Sequence, residues 1–317
     1  MSFFEGSEKK LEVVIDSSQL IEGSLRNLGR GFWSKVVEAS QALILSEIQS
    51  ENCVAYLLSE SSLFVWDDKF TMITCGQTTL AKAFLEFQNT VSSAKIISAI
   101  YERKNEYAPE KQFSSFSEDV SLLNEVFNGE GVSFEFGSKQ DHFIELYNYQ
   151  HKFIPAPEDT TLEILMYEIG HRALKVFNQE GHTATGIRSF LNFEEHFPEF
   201  AVDDYVFSPT GYSLNALNGS KYITIHVTPE SQSSYVSFET NIFNGDGNIE
   251  LVQQVVSIFE PSSYDVFDFR QDSHKANQGQ KSCVNDFLTN GFQIKASEFQ
   301  QLQCGYHLEY AHYHKDQ

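Results

Sequence analysis

The sequence predicts an α+β protein made of two similar sheet-plus-helix layers, and three observations predict it. Apolar residues recur with period 2 in many short segments, as they do in half-buried antiparallel strands. A few longer segments between them carry helical spacing instead. Strands, then a helix, then a further strand come in the same order in both halves of the 317 residues, which suggests internal duplication.

Residues 53–66, with LLSESSLFVW at their centre, read as one strand that is apolar at both ends and polar at Ser59, Glu60, Ser61 and Ser62. Asp67 and Asp68 make a turn into a second strand, KFTMITCG, so the two read as a hairpin ended by Gly76. QTTLAKAFLEFQNTV has helical spacing at Leu80, Phe84, Leu85 and Phe87, and AKIISAIYE returns as a strand. SEDVSLLNEVF is a helix opened by its Ser-Glu-Asp capping pattern. VSFEFGS and HFIELYNYQ alternate as strands, whereas DTTLEILMYEIGHRALKVF reads as a long amphipathic helix. In the second half, TGYSLNALNGSKYITIHVTPE is a hairpin turning at Asn218, Gly219 and Ser220. SSYVSFETNIF is a strand, NIELVQQVVSIFEP a helix stopped by Pro261, and YDVFDFRQD a strand. NYQHKFIPAPED, with Pro155 and Pro157, is the best joint between the halves, inside what reads as one body. Residues after about 245 carry no legible role.

Hydrophobic residues make up 41% and aromatics 14%, enough for a substantial core and too much for disorder. Lys plus Arg number 22 against 44 Asp plus Glu, a formal charge of −22. That field repels nucleic acid and anionic lipid, and it attracts cations. MSFFEGSEKK lacks the basic and apolar regions of a secretory leader, and no apolar run of membrane-spanning length follows. Cys53, Cys75, Cys283 and Cys304 show no CxxC spacing, so free thiols in the cytoplasm are expected.

Several groups could carry chemistry. His307, His312 and His314 lie near Cys304, but no standard ligand spacing is met; an ordinary polar tail is the simpler reading, and no metal is expected. His171 and His182 read as solvent-facing, and Glu194 and Glu195 as a solvated face. His226 lies inside YITIHVTPE, where Thr224 and His226 share one face and Ile223 and Ile225 the other. A mid-strand histidine is more often structural than catalytic, and a lone Cys75 is more often a small core residue. The two would form a Cys/His nucleophilic pair if they met, which periodicity leaves open.

Six blocks, in order, decide the matter: FFEGSEKKLEV (3–13), YLLSESSLFV (56–65), TCGQTTL (74–80), TLEILM (161–166), GYSLNAL (211–217) and HVTPESQSSYVSFETN (226–241). Their order and spacing resemble those of eukaryotic-type S-adenosylmethionine decarboxylase, closely as far as Asn241 and loosely beyond. The resemblance implies a four-layer αββα sandwich, with two facing antiparallel sheets and helices outside. It implies one domain over 1–317, made as a proenzyme that cuts itself at Glu60–Ser61 into a β chain (1–60) and an α chain (61–317) that stay associated. Ser61 would thereby become a pyruvoyl group, the cofactor for decarboxylating S-adenosylmethionine in polyamine biosynthesis. His226 matches the base that removes the Ser61 α-proton, Ser213 the serine that assists it, and Cys75 the proton donor. Glu5 and Glu8 match acids near the active centre. Phe4 and Phe207 match the adenine sandwich, and Glu230 the carboxylate on the ribose.

Glu12, Asp159, Thr161, Glu163 and Glu239 match an acidic constellation that binds putrescine in some relatives, with Tyr306 beside it. The chain departs from the animal pattern here. Ile73 replaces a lysine, and Lys10 stands where animal relatives are apolar, so weak or absent putrescine activation is expected. A homodimer is compatible with the family. Rival readings are a pyruvoyl decarboxylase of ornithine or arginine, a catalytically dead regulatory paralogue, and a Cys/His hydrolase. The first would lack the adenine sandwich and the second the cleavage serine, and the third predicts an uncut chain.

Overall fold

In the computed structural model the described residues are 5–91, 96–139, 141–151, 153–156, 158–178, 181–230, 233–243, 248–271, 284–303 and 305–316. Chain contacts divide them into two compact units, residues 1–136 with 143–153, and residues 137–142 with 154–317. The division at 153/154 falls in the proline-containing stretch that the sequence marks as the joint.

The first unit contains β1 (Lys9–Ile15), α1 (Gly29–Ala39), β2 (Ile44–Gln49), β3 (Val54–Leu58), β4 (Ser61–Val65), β5 (Lys69–Thr74), α2 (Leu80–Thr90), β6 (Ile96–Lys104), α3 (Phe116–Val126), β7 (Val132–Gly137) and β8 (Phe143–Gln150). Its strand order is β2-β3-β4-β5-β1-β6-β8-β7. The second contains β9 (Thr160–Tyr167), α4 (His171–Phe177), α5 (Ala184–Phe190), α6 (Phe193–His196), β10 (Ala201–Val206), β11 (Tyr212–Asn218), β12 (Lys221–Thr228), β13 (Tyr235–Thr240), α7 (Ile249–Phe259), β14 (Ser263–Gln271), β15 (Phe292–Gln301) and β16 (Tyr306–Lys315). Its order, β10-β11-β12-β13-β9-β14-β16-β15, is the same permutation shifted by eight strands. Two eight-stranded antiparallel sheets with one topology establish the α+β class and the duplication.

One face of each sheet packs on its helices. In the first unit Leu11, Val13, Met72 and Tyr101 meet Trp33, Val37, Phe84 and Phe87 in one core. Burying such side chains contributes about 1.5–3 kcal/mol each. Trp33, Phe70 and Phe87 form its aromatic centre, with Phe70 and Phe87 ring centroids 4.7 Å apart. In the second unit α7 lays Leu251, Val252, Val255, Val256 and Phe259 on Ile164, Met166 and Phe238. The opposite face of each sheet mixes buried polar and apolar side chains: Glu12 and Thr71 share it with Phe64 and Ile73 in the first unit, and Glu163 and Asp265 share it with Leu165 and Phe267 in the second. Lys10 and Glu12 alternate with Leu11 and Val13 along β1, and Lys10 stands opposite Glu102 on β6.

Three segments depart from the sequence reading. Residues 53–66 are two strands, because Ser59 and Glu60 form a two-residue turn closed by the Leu58–Ser61 pair. Residues 159–177 are a strand and a short helix; β9 is central and buried along its whole length, so its solvent alternation vanishes and its spacing imitates a helix. The supposed polar tail is β16, an interior strand whose His312 is buried. The α3 cap is Ser115, two residues before the expected serine, in a capping box with Glu118.

Candidate active site

The β3–β4 hairpin places the Glu60–Ser61 bond at its tip. Neither Ser59 nor Glu60 has positive φ, and the whole misfit falls on Ser61, whose φ of +142° belongs to a region that side chains rarely enter. Ser61 is nonetheless buried and in register with Thr74 of β5. Its Oγ has no hydrogen-bond partner among the described residues.

Cys75 follows β5 and covers the same bond. Its backbone N–H donates to the Glu60 carbonyl at 2.9 Å, and its thiol donates to the same oxygen at 3.2 Å. Burial pushes the thiol well above its ordinary value of 9.0, and the carboxylates of Glu60 and Glu8 push it further. The thiol is therefore a proton store near neutrality, not a thiolate. Glu60 Oε2 is buried without a hydrogen-bond partner among the described residues, and burial raises that carboxyl to about 7. Glu8 is buried with its Oε2 3.8 Å from Lys104 Nζ.

The next turn is clamped. Gly76, at φ +66°, gives its N–H to the Glu5 carbonyl, and its own carbonyl accepts from Lys9 Nζ at 3.2 Å. Lys9 also donates to Gln112 Oε1 at 2.8 Å and lies 3.6 Å from Glu106, which offsets the burial that lowers its pKa. Glu5 uses its carboxylate on the backbone N–H groups of Ala108 and Ser7, so it anchors the loop that Lys9 crosses.

In the second unit β11 and β12 pair Ser213 with His226. His226 Nδ1 lies 2.9 Å from Ser213 Oγ, and Nε2 lies 2.8 Å from Thr224 Oγ1. Thr224 donates its hydroxyl proton to Asn215 Oδ1 at 3.1 Å. Thr224 must then accept from Nε2–H, which leaves the lone pair on Nδ1 with Ser213 donating to it. All four residues are buried. The same end of the sheet carries Phe207 and Glu230. Phe207 precedes β11, half-buried, with its ring edge-on to Tyr205 at 4.9 Å; Glu230 follows β12. Phe4 lies outside the described residues, as do Cys283 and Cys304.

The acidic constellation divides between the units. Glu12 accepts from Thr71 at 3.1 Å in the first, with Lys69 3.7 Å away. In the second, Glu163 and Glu239 are direct cross-strand partners, and Thr161 lies two residues before Glu163 on the same face. Tyr222 donates to Glu239, and Tyr306 to Asp159 at 2.6 Å. The sequence placed Thr224 on the His226 face by period 2, but it gave no role to Lys9, Gln112 or Asn215. Buried charges and amides carry no periodic signature that separates them from surface residues.

The fold and these two centres define a class: duplicated α+β proteins with a strained Glu–Ser junction beneath a protonated thiol. The family model described as adenosylmethionine decarboxylase matches residues 1–314. The S-adenosylmethionine decarboxylase proenzyme of Onchocerca volvulus is 35% identical over 304 residues, which cover 89% of this chain and 80% of the relative. That of Drosophila melanogaster is 31% identical over 336 residues, 98% of this chain and 95% of the relative. The crystal structure of a Trypanosoma brucei AdoMetDC-delta26 monomer superimposes with a TM-score of 0.63 at 24% identity, covering 80% of this chain and 99% of that one, a likeness of fold. This chain belongs to the adenosylmethionine decarboxylase family.

Proposed function

We propose that this chain cuts its own backbone at Glu60–Ser61 and decarboxylates S-adenosylmethionine with the pyruvoyl group so made. The junction geometry is the observation that carries the reading: a strained Ser61 beside a carbonyl already held by two donors of Cys75. Ser61 Oγ attacks the Glu60 carbonyl carbon; the peptide C–N bond breaks, an ester C–O bond forms, and the amine is freed. The Cys75 N–H and S–H hold the oxygen as it gathers charge. His226, oriented by Ser213 and Thr224, takes the Ser61 α-proton while the Oγ leaves with the Glu60 carboxylate. Water then displaces the nitrogen as ammonia, and a ketone remains at position 61.

The pyruvoyl ketone supplies a sink for the electrons that the departing carboxylate leaves behind. Cys75, protonated near neutrality, returns a proton to the product's α-carbon. Phe4 and Phe207 are assigned to the adenine and the sulfonium cation by their match to the family's aromatic pair, and Glu230 to the ribose hydroxyls. The two chains stay associated, because β1 belongs to the smaller chain yet is hydrogen-bonded between β5 and β6 of the larger. Lys10, opposite Glu102 and two residues from Glu12, places a cation on the acidic face; putrescine is expected to raise turnover little.

Intact mass of purified protein tests the reading. Two chains divided after Glu60 are expected, the larger blocked to Edman sequencing, together with release of carbon dioxide from carboxyl-labelled S-adenosylmethionine. Ser61→Ala should give one uncut and inactive chain. An uncut wild-type chain that decarboxylates S-adenosylmethionine would overturn it.

A further inference from the structure

Away from the reactive junction, the second unit holds a second polar cluster on the face of its sheet that bears His226. Asp265 of β14 is fully buried and faces His312 of β16 across the ladder. Its carboxylate accepts from His312 Nδ1 at 2.6 Å, from Tyr167 Oη at 2.9 Å and from Tyr310 Oη at 3.2 Å. His142, in the turn between β7 and β8, stacks on His312 with ring centroids 4.3 Å apart and planes 17° apart. Its Nδ1 lies 3.7 Å from the second oxygen of Asp265. Gly137 fixes that turn. At φ +83° it is suited to glycine, and a Cβ there would meet the His142 carbonyl at 2.2 Å.

The bond to Asp265 puts the His312 proton on Nδ1, so Nε2 keeps its lone pair. That Nε2 is buried and has no hydrogen-bond partner among the described residues, in a side chain 2% exposed; the nearest acid is Asp141, whose Oδ2 is 3.9 Å away. His142 Nδ1 is likewise buried without a hydrogen-bond partner among the described residues. One donor atom each from Asp141, His142 and His312 lie within 4.8 Å of one another. A buried carboxylate behind a histidine whose other nitrogen is open is the outer-shell arrangement of metal sites, where it fixes the tautomer and raises ligand basicity. We propose that Asp141, His142 and His312 bind one divalent transition ion of the zinc type, with Asp265 as the carboxylate that orients His312.

Two imidazoles and one carboxylate suit zinc or its neighbours better than calcium or magnesium, which take oxygen ligands. The edge of a tetrahedral zinc site is about 3.3 Å, given metal–nitrogen bonds of about 2.0–2.1 Å. The 3.9 Å gap between Asp141 and His312 therefore closes by a small side-chain movement. His142 must tilt out of its stack to aim a lone pair at the ion, and with its side chain 16% exposed it has solvent on one side. Water would fill the remaining coordination position.

The full-length protein, stripped with a chelator and freed of it, should be titrated with cobalt(II) and with zinc. We expect one equivalent per chain, with cobalt absorption of a nitrogen- and oxygen-ligated ion and no sulfur charge-transfer band. His312→Gln should abolish saturable binding. Asp141 is 59% exposed, so Asp141→Asn keeps the fold while weakening binding tenfold or more. Absence of saturable binding, a sulfur band that moves the ion to a cysteine, or unchanged affinity in Asp141→Asn would overturn the proposal. None of these readouts depends on self-cleavage or decarboxylation.

Discussion

Ser61 occupies a backbone conformation in which glycine is at ease and serine is not, and such conformations cost of the order of 1–3 kcal/mol. Converting the peptide to an ester releases the constraint, since the strained N–Cα torsion leaves the hairpin when the C–N bond breaks. The neighbouring carboxyl adds a pH dependence. Glu60 is raised to about 7 by burial, so it is neutral below that pH and anionic above it. An anion beside a carbonyl oxygen that must gather negative charge opposes ester formation, so this step should slow as pH rises through about 7. Glu60→Gln should lose that decline between about pH 6 and 8 when self-cleavage of freshly translated precursor is followed on gels. An unchanged decline in the variant would remove Glu60 from the account. The participants were legible in part. A polar tetrad between apolar flanks singled out the segment that turns at Ser59-Glu60, and period 2 put Thr224 beside His226. The Cys75 N–H was invisible, because backbone donors leave no trace in composition.

At the scale of elements the sister hairpins make a controlled comparison. The β11–β12 loop places Gly219 at φ +61°, and the following Lys221 is not among the positive-φ residues. The β3–β4 loop has no glycine in Ser59-Glu60, and the twist that a two-residue turn requires is displaced onto Ser61. Replacing Ser59-Glu60 by Asn-Gly would supply both positive-φ positions within the loop. That double variant is expected to raise Tm and slow self-cleavage by tenfold or more relative to Glu60→Gln, the control for the lost carboxylate, with Ser61, Cys75, Ser213 and His226 retained. Cleavage at the rate of that control would show that strain contributes nothing. Most elements were readable because half-buried strands alternate and α7 carries its apolar stripe. Two of those misread share one cause: β9 and β16 are interior strands, buried so fully that polar alternation with solvent is lost. Residues 53–66 hid their break because the Ser59-Glu60 turn carries neither glycine nor proline.

Across the whole molecule one topology serves two ends. The order β2-β3-β4-β5-β1-β6-β8-β7 and its copy place corresponding strands identically, yet one copy carries the strained serine and the other the histidine relay. Both copies pack helices on one face and carry buried polar groups among apolar ones on the other, and it is on those second faces that their side chains differ. The charge of the chain acts above this level. At −22 its field favours a sulfonium substrate over any anionic competitor, and that attraction is long-ranged only where salt is dilute. The screening length falls from about 10 Å at 0.1 M to about 3 Å at 1 M. KM for S-adenosylmethionine should therefore rise several-fold across that range, while kcat, which follows steps after the substrate has bound, changes little. The comparison needs an inert salt and an assay of initial rates on fully processed protein, so that slower self-cleavage does not enter. A KM that stays flat while kcat falls would mean that the acidic surface serves solubility alone and that local contacts, not the field, draw the cation in.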